Sequence, residues 1–152
     1  MSDTFGPSGG VGGSPYNAPA PATGGPWKIS GVQGRSGSRI DQIELVWSSL
    51  NGGGSQSSDQ FGGDGGDPFQ FSIANGDYLT EIIGTVGVNN GSVLLFSMQL
   101  LTQNGNKSPV LGSATSTPFS FQCPPGYQIT GIVGRSGSGV DALGVYIDPI
   151  KA

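Results

Sequence analysis

The stretch GRSGSRID, Gly34 to Asp41, recurs 100 positions later as GRSGSGVD, Gly134 to Asp141. In the wider windows that begin at Ile29 and Ile129, ISGVQGRSGSRID and ITGIVGRSGSGVD, eight of thirteen positions are identical. Halfway between them, LTEIIGTVGVNNG from Leu79 keeps a threonine, an isoleucine and two glycines in the same register. Because self-similarity at a fixed period marks a repeated structural unit, we predict a single domain over residues 1–152 with units beginning near 29, 79 and 129.

Apolar side chains alternate with other residues after each copy of the phrase. We expect the following to lie on the buried face of strands: Ile43, Leu45 and Trp47 in the first unit, Val93 and Leu95 in the second, Leu143, Val145 and Ile147 in the third. A period of two indicates strands, and no window of ten or more residues has a helical stripe. A sheet of ~50 residues cannot bury its apolar face alone. The sequence therefore predicts an all-β fold in which three antiparallel units share one core.

A glycine-rich or small-residue loop precedes each copy. The three loops read GGVGGSPY from Gly9, GGDGGDPF from Gly62 and LGSATSTPF from Leu111. A dinucleotide site requires such a loop to open a helix, and these loops lead into β-like sequence instead. Two interpretations stay open, namely a flexible hairpin connection and a bare backbone that approaches a ligand closely.

Composition excludes several function classes. Six basic residues against ten acidic ones give a formal charge of −4, and the basic residues form no cluster of the kind that nucleic acid requires. The chain has no histidine and one cysteine, so we expect no metal site and no cofactor. No apolar segment is long enough for membrane insertion. The N-terminal residues lack the pattern of a signal peptide, so we expect a cytoplasmic protein or one released without such a peptide.

The repeated phrase itself indicates a ligand. Glycine-rich turns point backbone N–H donors outward, and the aspartate that closes each turn adds a strong acceptor. Adjacent sugar hydroxyls both donate and accept hydrogen bonds, so they suit this arrangement, whereas a phosphate would be repelled by the carboxylate. A glycosidase needs two carboxylates across one bond, and each unit offers one. We therefore expect a binding protein and not an enzyme, with no catalytic residues.

Three stretches resemble the jacalin-related lectins: GGVGG near the N-terminus, GGDGGDPF in the middle and GIVGRSGSGVDALGVYI near the C-terminus. The resemblance covers nearly the whole chain. It implies a β-prism of three four-stranded antiparallel Greek-key sheets with pseudo-threefold symmetry. It also implies that a monosaccharide lies between a Gly-Gly loop and a Gly-x-x-x-Asp loop, and that the first Gly-Gly loop faces the last aspartate.

Two candidate sites follow from the resemblance by position. Each combines backbone N–H groups, one carboxylate and a packing residue next to that carboxylate. Site 1 comprises Gly13, Gly137, Ser138, Gly139, Val140 and Asp141. Site 2 comprises Gly66, Gly37, Ser38, Arg39, Ile40 and Asp41. Arg39 replaces a glycine of the pattern and could reach over the sugar.

The middle unit departs from the pattern. Gly91 takes the place of the aspartate in the sequence alignment, and LGSATSTP lacks the Gly-Gly pair. We expect this third position to be weak or empty, although Asn89 and Asn90 could substitute in part, as neutral amides that accept less strongly than a carboxylate.

The resemblance also bears on the choice of sugar. An uncleaved single chain favours mannose- or glucose-type glycans, as monosaccharides or oligosaccharides. A galactose-preferring lectin and a β-prism interaction module that binds no sugar remain alternatives. We also expect a homo-oligomer, because weak single sites require avidity.

Overall fold

A computed structural model describes residues 3–151, and it contains thirteen strands and no helix over that range. The strands are β1 (Asp3–Gly9), β2 (Ser14–Ala18), β3 (Trp27–Ser36), β4 (Ile40–Ser49), β5 (Ser55–Ser57), β6 (Phe61–Gly62), β7 (Asp67–Ser72), β8 (Leu79–Asn89), β9 (Ser92–Thr102), β10 (Leu111–Gly112), β11 (Thr117–Gln122), β12 (Tyr127–Ser136) and β13 (Val140–Pro149). The all-β prediction is confirmed. With no helix in residues 3–151, no helical membrane span occurs there.

The strands form three antiparallel sheets of the same topology. Their orders are β1-β13-β12-β2, β10-β9-β8-β11 and β5-β4-β3-β7, with β6 also paired to β4. Each order is that of a Greek key, in which the fourth strand lies beside the first. In the first sheet the Greek key combines both ends of the chain, because β1 and β2 pair with β13 and β12. The predicted prism of three Greek-key sheets is confirmed, with the outer strand of the last sheet broken into β5 and β6.

The three sheets enclose one apolar core. The following core side chains of the central strands are at most 4% exposed: Ile29, Val32, Ile43, Leu45, Trp47, Ile82, Met98, Leu100, Ile129, Ile132, Leu143, Val145 and Ile147. Hydrogen bonds and ring stacking also connect the sheets. Trp47 Nε1 donates to the carbonyl oxygen of Thr130 at 2.8 Å, and the Tyr16 ring stacks on Phe61 at 4.4 Å between centroids. Each sheet therefore buries its inner face against the other two.

The middle hairpin differs from the other two in length. The first pair after the bulge is Ser36 and Ile40 in β3 and β4, and Val86 and Leu95 in β8 and β9. Three residues, 37–39, lie between the members of the first pair, whereas eight residues, 87–94, lie between those of the second. A two-residue Asn-Gly turn with positive φ at both positions closes the longer hairpin, which is a favoured hairpin connection. The hairpin therefore extends five residues further than the sequence repeat suggests.

This extension makes one sequence prediction wrong. Val93 was expected on the core face, but it is 36% exposed because it lies in the extension. Gly84 pairs with Met98 as Gly34 pairs with Ile43, so Met98 holds the buried position in the second unit. The other expected core residues, including Leu95, are buried.

The hydrogen bond between sheets at Trp47 predicts a stability difference between the two tryptophans. Trp47→Phe should lower the free energy of unfolding by about 1–3 kcal/mol, because the buried Thr130 carbonyl loses its donor. Trp27→Phe is the matched control, since Trp27 Nε1 donates only to the partly buried Thr23 carbonyl of a nearby loop. Urea denaturation should show the larger loss for Trp47→Phe, and equal losses would contradict this assignment.

Candidate functional site

The two aspartates of the repeated phrase occupy β-bulges. In the third sheet Arg35 pairs with Gln42 and Ser36 pairs with Ile40, which leaves Asp41 as the extra residue. The same shift between β12 and β13 leaves Asp141 as the extra residue there. A bulge bends its strand and re-aims a side chain. The bulges therefore take both carboxylates out of the regular alternation of side chains along the strands, at the same end of the prism. Both residues are almost buried, with 6% exposure for Asp41 and 7% for Asp141.

In site 1 the first Gly-Gly loop covers the Asp141 carboxylate. A Cβ atom added at Gly12 would lie 2.8 Å from Asp141 Oδ2, and one added at Gly13 would lie 2.9 Å from Oδ1. Gly13 also has a φ of +69°, which side-chain-bearing residues rarely adopt. Gly137 of the C-terminal turn packs against this loop, because a Cβ atom added at Gly137 would lie 3.6 Å from the Gly13 Cα. The structure therefore brings the N-terminal loop and the C-terminal turn together, as the resemblance implied.

Site 2 repeats this geometry with the second loop. A Cβ atom at Gly65 would lie 2.9 Å from Asp41 Oδ1, and one at Gly66 would lie 2.7 Å from Oδ2. Gly37 approaches Gly66, with 3.3 Å between an added Cβ and the Gly66 Cα. Site 2 has one additional contact, because Arg39 Nε donates to Asp41 Oδ1 at 3.2 Å. One carboxylate oxygen of site 2 is therefore already engaged by a cation.

The remaining predicted residues have different surroundings in the two turns. Ser38 and Ser138 are exposed at the tips, whereas Ile40 and Val140 are fully buried and contribute packing beneath the turn. The N–H groups of Gly37 and Gly137 donate to the carbonyls of residues 39 and 139 and close the turns. Gly139 is buried, while Arg39 is half-buried.

Sequence reasoning overlooked an arginine in each site. Arg135 donates from Nε to the Gly12 carbonyl at 3.0 Å and from an Nη atom to the Gly13 carbonyl at 2.9 Å. Arg35 makes the same pair of bonds to Gly65 and Gly66, at 3.1 and 2.7 Å. Charge-assisted pairs of this kind fix geometry as well as adding energy. Each arginine therefore fixes the Gly-Gly loop over its aspartate.

A signal for these arginines was present in the sequence. The repeated phrase contains arginine in the two units that have both the aspartate and the Gly-Gly loop, and threonine, Thr85, in the unit that has neither. Thr85 bonds instead to Ser97 and to the backbone N–H of Thr115.

The third position is built differently from what the alignment predicted. The N–H of Gly10 donates to the Asp141 carbonyl and that of Gly63 to the Asp41 carbonyl, and the matching bond of the middle unit runs from Ser113 to Phe96. Phe96 is also the extra residue of the β8–β9 bulge. The assignment of Gly91 to the aspartate position was therefore wrong, because the longer hairpin shifts the register by five residues.

Phe96 also occupies space at the third position. A Cβ atom at Gly87 would meet the Phe96 ring and the Thr115 methyl group, each at 3.0 Å. An aromatic ring does not accept a strong hydrogen bond from a hydroxyl group, whereas a carboxylate does. That this position is weak or empty stays a prediction, now resting on Phe96 rather than on Gly91.

Burial and the neighbouring positive charges have opposite effects on the pKa of Asp141. Burial raises the pKa of its carboxyl above the ordinary value, and the guanidinium groups of Arg39 and Arg135 partly oppose that shift. The carboxyl stays an acceptor as long as it is ionised. Its surroundings consist of glycine backbone, at Gly12 and Gly13, and the two guanidinium groups. Such a site suits a hydroxyl-bearing neutral ligand.

The arrangement fits binding more closely than catalysis. Each site holds one carboxylate, and the two aspartates belong to different sheets. Residues 3–151 contain no group of three or more His, Cys, Asp or Glu side chains that could hold a metal ion.

Comparisons with known proteins agree with this geometry. A family model described as the jacalin-like lectin domain matches residues 5–146. Horcolin of Hordeum vulgare subsp. vulgare is 31% identical over 145 residues, which cover 95% of this chain and 96% of horcolin. The structure of wild-type Malaysian banana lectin superposes with a TM-score of 0.84 and 30% identity, covering 99% of this chain and 100% of that one. AcmJRL, a mannose-binding jacalin-related lectin from Ananas comosus, has a TM-score of 0.83 and 27% identity, covering 98% and 99%.

The raised pKa of Asp141 predicts its titration. The carboxyl should take up its proton at a pH above the ordinary aspartate value of about 3.9, because the buried carboxylate is poorly solvated. Since the folded-state pKa is the higher one, protonation should stabilise the fold as pH falls through it. The Cγ chemical shift of Asp141, followed by NMR against pH, measures the midpoint. A midpoint at or below the ordinary value would contradict the assigned burial effect.

The arginine contacts predict the mobility of the loops. Arg135→Met should accelerate amide hydrogen exchange in residues 9–13 several-fold, because the loop loses two charge-assisted bonds. Arg35→Met is the matched control and should act on residues 62–66 alone. Equal acceleration of both loops in both variants would show that the arginines act on the whole fold instead.

Proposed function

The chain belongs to the family of jacalin-related lectins, which bind carbohydrate and are not enzymes, and on that premise we propose that it recognises mannose- or glucose-type glycans at two sites per chain. Site 1 is centred on Asp141 and site 2 on Asp41. The sugar is bound non-covalently, by hydrogen bonds from loop N–H groups and to one carboxylate in each site.

A single observation carries this proposal. The same assembly occurs twice, with an almost buried carboxylate on a bulge, a Gly-Gly loop above it and an arginine that holds the loop. The middle unit lacks all three components, and its sheet is nevertheless complete. Because the sheet does not need these components, their retention in two units supports a ligand-binding role for them.

The choice of mannose rests on similarity. The Ananas comosus relative is described as mannose-binding, and its fold covers almost the whole of this chain. A few hydrogen bonds at a shallow site correspond to a monosaccharide Kd of about 0.2–1 mM, or roughly −4 to −5 kcal/mol. Such weak binding gains strength when several sites act on one glycan-bearing surface. Two sites per chain provide part of that gain, and we propose that assembly into a homo-oligomer provides the rest.

Isothermal titration of methyl α-mannoside should show two sites per chain in the parent protein. Asp141→Ala and Asp41→Ala should each retain one site, and the double variant should retain none, because each loses the acceptor for a pair of hydroxyls. Arg135→Ala is not a suitable control, since it touches site 1. Lys107→Ala serves instead, because Lys107 is exposed and lies in the connection between β9 and β10, outside both sites.

Other outcomes of the titration have definite meanings. Binding heat from methyl β-galactoside but not from the mannoside would show that the protein prefers galactose, and the two-site assignment would stand. Two sites that persist in the double variant would show that the aspartates are not the acceptors. No heat from either sugar would favour a protein-interaction module in which the glycine loops serve as turns.

A further inference from the structure

Arg39 belongs to site 2 by its backbone, but its guanidinium lies on site 1. Its Nε donates to Asp41 Oδ1 at 3.2 Å, which holds the side chain at the junction of the two turns. A Cβ atom added at Gly139 would lie 3.0 Å from Arg39 Cζ and 3.3 Å from one of its Nη atoms. The guanidinium therefore packs directly on the backbone of the site 1 turn.

The cavity above site 1 includes this arginine in its wall. The cavity has a volume of about 370 Å³, and Arg39 lines it together with Gly13, Ser138 and Asp141. Among the hydrogen bonds of residues 3–151, Arg39 uses one side-chain donor, Nε, and a guanidinium carries five N–H groups. The terminal nitrogens therefore remain available to a ligand in the cavity.

The turn of site 2 contributes a side chain to site 1, but the turn of site 1 contributes none to site 2. The turns of the first and third units correspond residue by residue, so the counterpart of Arg39 is Gly139, which has no side chain. The turn 137–139 lies against the second loop, where a Cβ atom at Gly63 would meet the Ser138 carbonyl oxygen at 2.4 Å. It brings no cation to site 2, because it reads Gly-Ser-Gly.

We propose that Arg39 is a specificity-determining residue of site 1, positioned there by Asp41, so that site 1 depends on the carboxylate of site 2 while site 2 does not depend on Asp141. This inference rests on the proposed sugar-binding function. In site 1 the terminal N–H groups of Arg39 donate to ligand hydroxyls in the same cavity that the Asp141 acceptor lines. Because Asn89, Asn90 and Ser92 of the β8–β9 hairpin also line this cavity, a sugar at site 1 is enclosed by residues from all three sheets.

The charges around Asp141 agree with this position of the arginine. The charged groups that act on its carboxyl are Arg135 from β12 and Arg39 from the turn between β3 and β4, and both lower its pKa against the effect of burial. Arg135 is occupied by the loop carbonyls. Arg39 lines the cavity of site 1 and Arg135 does not, so Arg39 is the cation near Asp141 that a ligand in this cavity can reach.

Site-resolved NMR titration tests the proposal. Methyl α-mannoside is added to ¹⁵N-labelled protein, with the amides of Gly139 and Asp141 reporting site 1 and those of Gly66 and Asp41 reporting site 2. Arg39→Ala should weaken site 1 about 3- to 10-fold, since it removes hydrogen-bond donors. Asp41→Ala should weaken site 1 similarly, although Asp41 lies outside it. Asp141→Ala should leave the site 2 Kd unchanged.

Controls separate this inference from the general function. Lys107→Ala removes the same charge at a distance and should leave both sites unchanged, and Arg39→Lys should restore part of the site 1 affinity. An identical site 1 Kd in Arg39→Ala and Lys107→Ala would overturn the proposal while leaving the two-site lectin intact. A parent protein whose amides do not respond to mannoside would overturn both.

A second measurement needs no sugar. Arg39→Ala should move the Asp141 titration midpoint to higher pH, because a neighbouring positive charge is lost, whereas Lys107→Ala should not move it. An unmoved midpoint in Arg39→Ala would show that the guanidinium does not lie on site 1 in solution. A merely structural role for Arg39 predicts no such specific change.

Discussion

Each of the three sheets has one apolar face, and no sheet can remove that face from water unless the other two cover it. This mutual burial explains why the central strands carry side chains such as Ile43, Met98 and Leu143 at matching positions of the three sheets, all fully buried. It also explains why the first sheet recruits β1 and β2 from the other end of the chain. A prism closed in this way brings loops that are far apart in sequence to one end, where binding residues can be placed without disturbing the core.

The β-bulge sets the position of the aspartate in each candidate site. A regular strand would alternate its side chains between core and solvent, and the extra residue breaks that alternation at one point. In two sheets the extra residue is an aspartate, and its carboxylate lies under a pair of glycines, which have no side chains to exclude a ligand. In the middle sheet the same position holds Phe96, whose ring packs against the turn instead. One backbone irregularity therefore places a carboxylate beneath a pair of glycines in two units and an aromatic ring in the middle unit.

Arginines adjust the two sites further. Arg35 and Arg135 hold equivalent loops by equivalent bonds, so they preserve the correspondence between these two units. Arg39 breaks it, because the corresponding residue is Gly139 and the missing side chain leaves room for the guanidinium. Nearly identical phrases in a sequence can therefore produce sites with different walls, since one of the two turns contributes an arginine side chain to the neighbouring site and the other does not.

The sequence by itself determined the all-β class and the three units, because strand alternation and turn residues are local properties of the chain. The pairing of glycine loops with aspartates was implied by the family resemblance and not by these local patterns. The sequence also contained a sign of Arg35 and Arg135, which occur only in the two units with an aspartate. Only the tertiary structure decided that Phe96, and not Gly91, stands at the third aspartate position. The length of the β8–β9 hairpin depends on where the Asn90-Gly91 turn forms and on strand pairing, so alignment at a fixed period of 50 could not show it. The contact between Arg39 and Gly139 likewise required three dimensions, because it joins residues 100 positions apart whose meeting depends on how the sheets close around their common core.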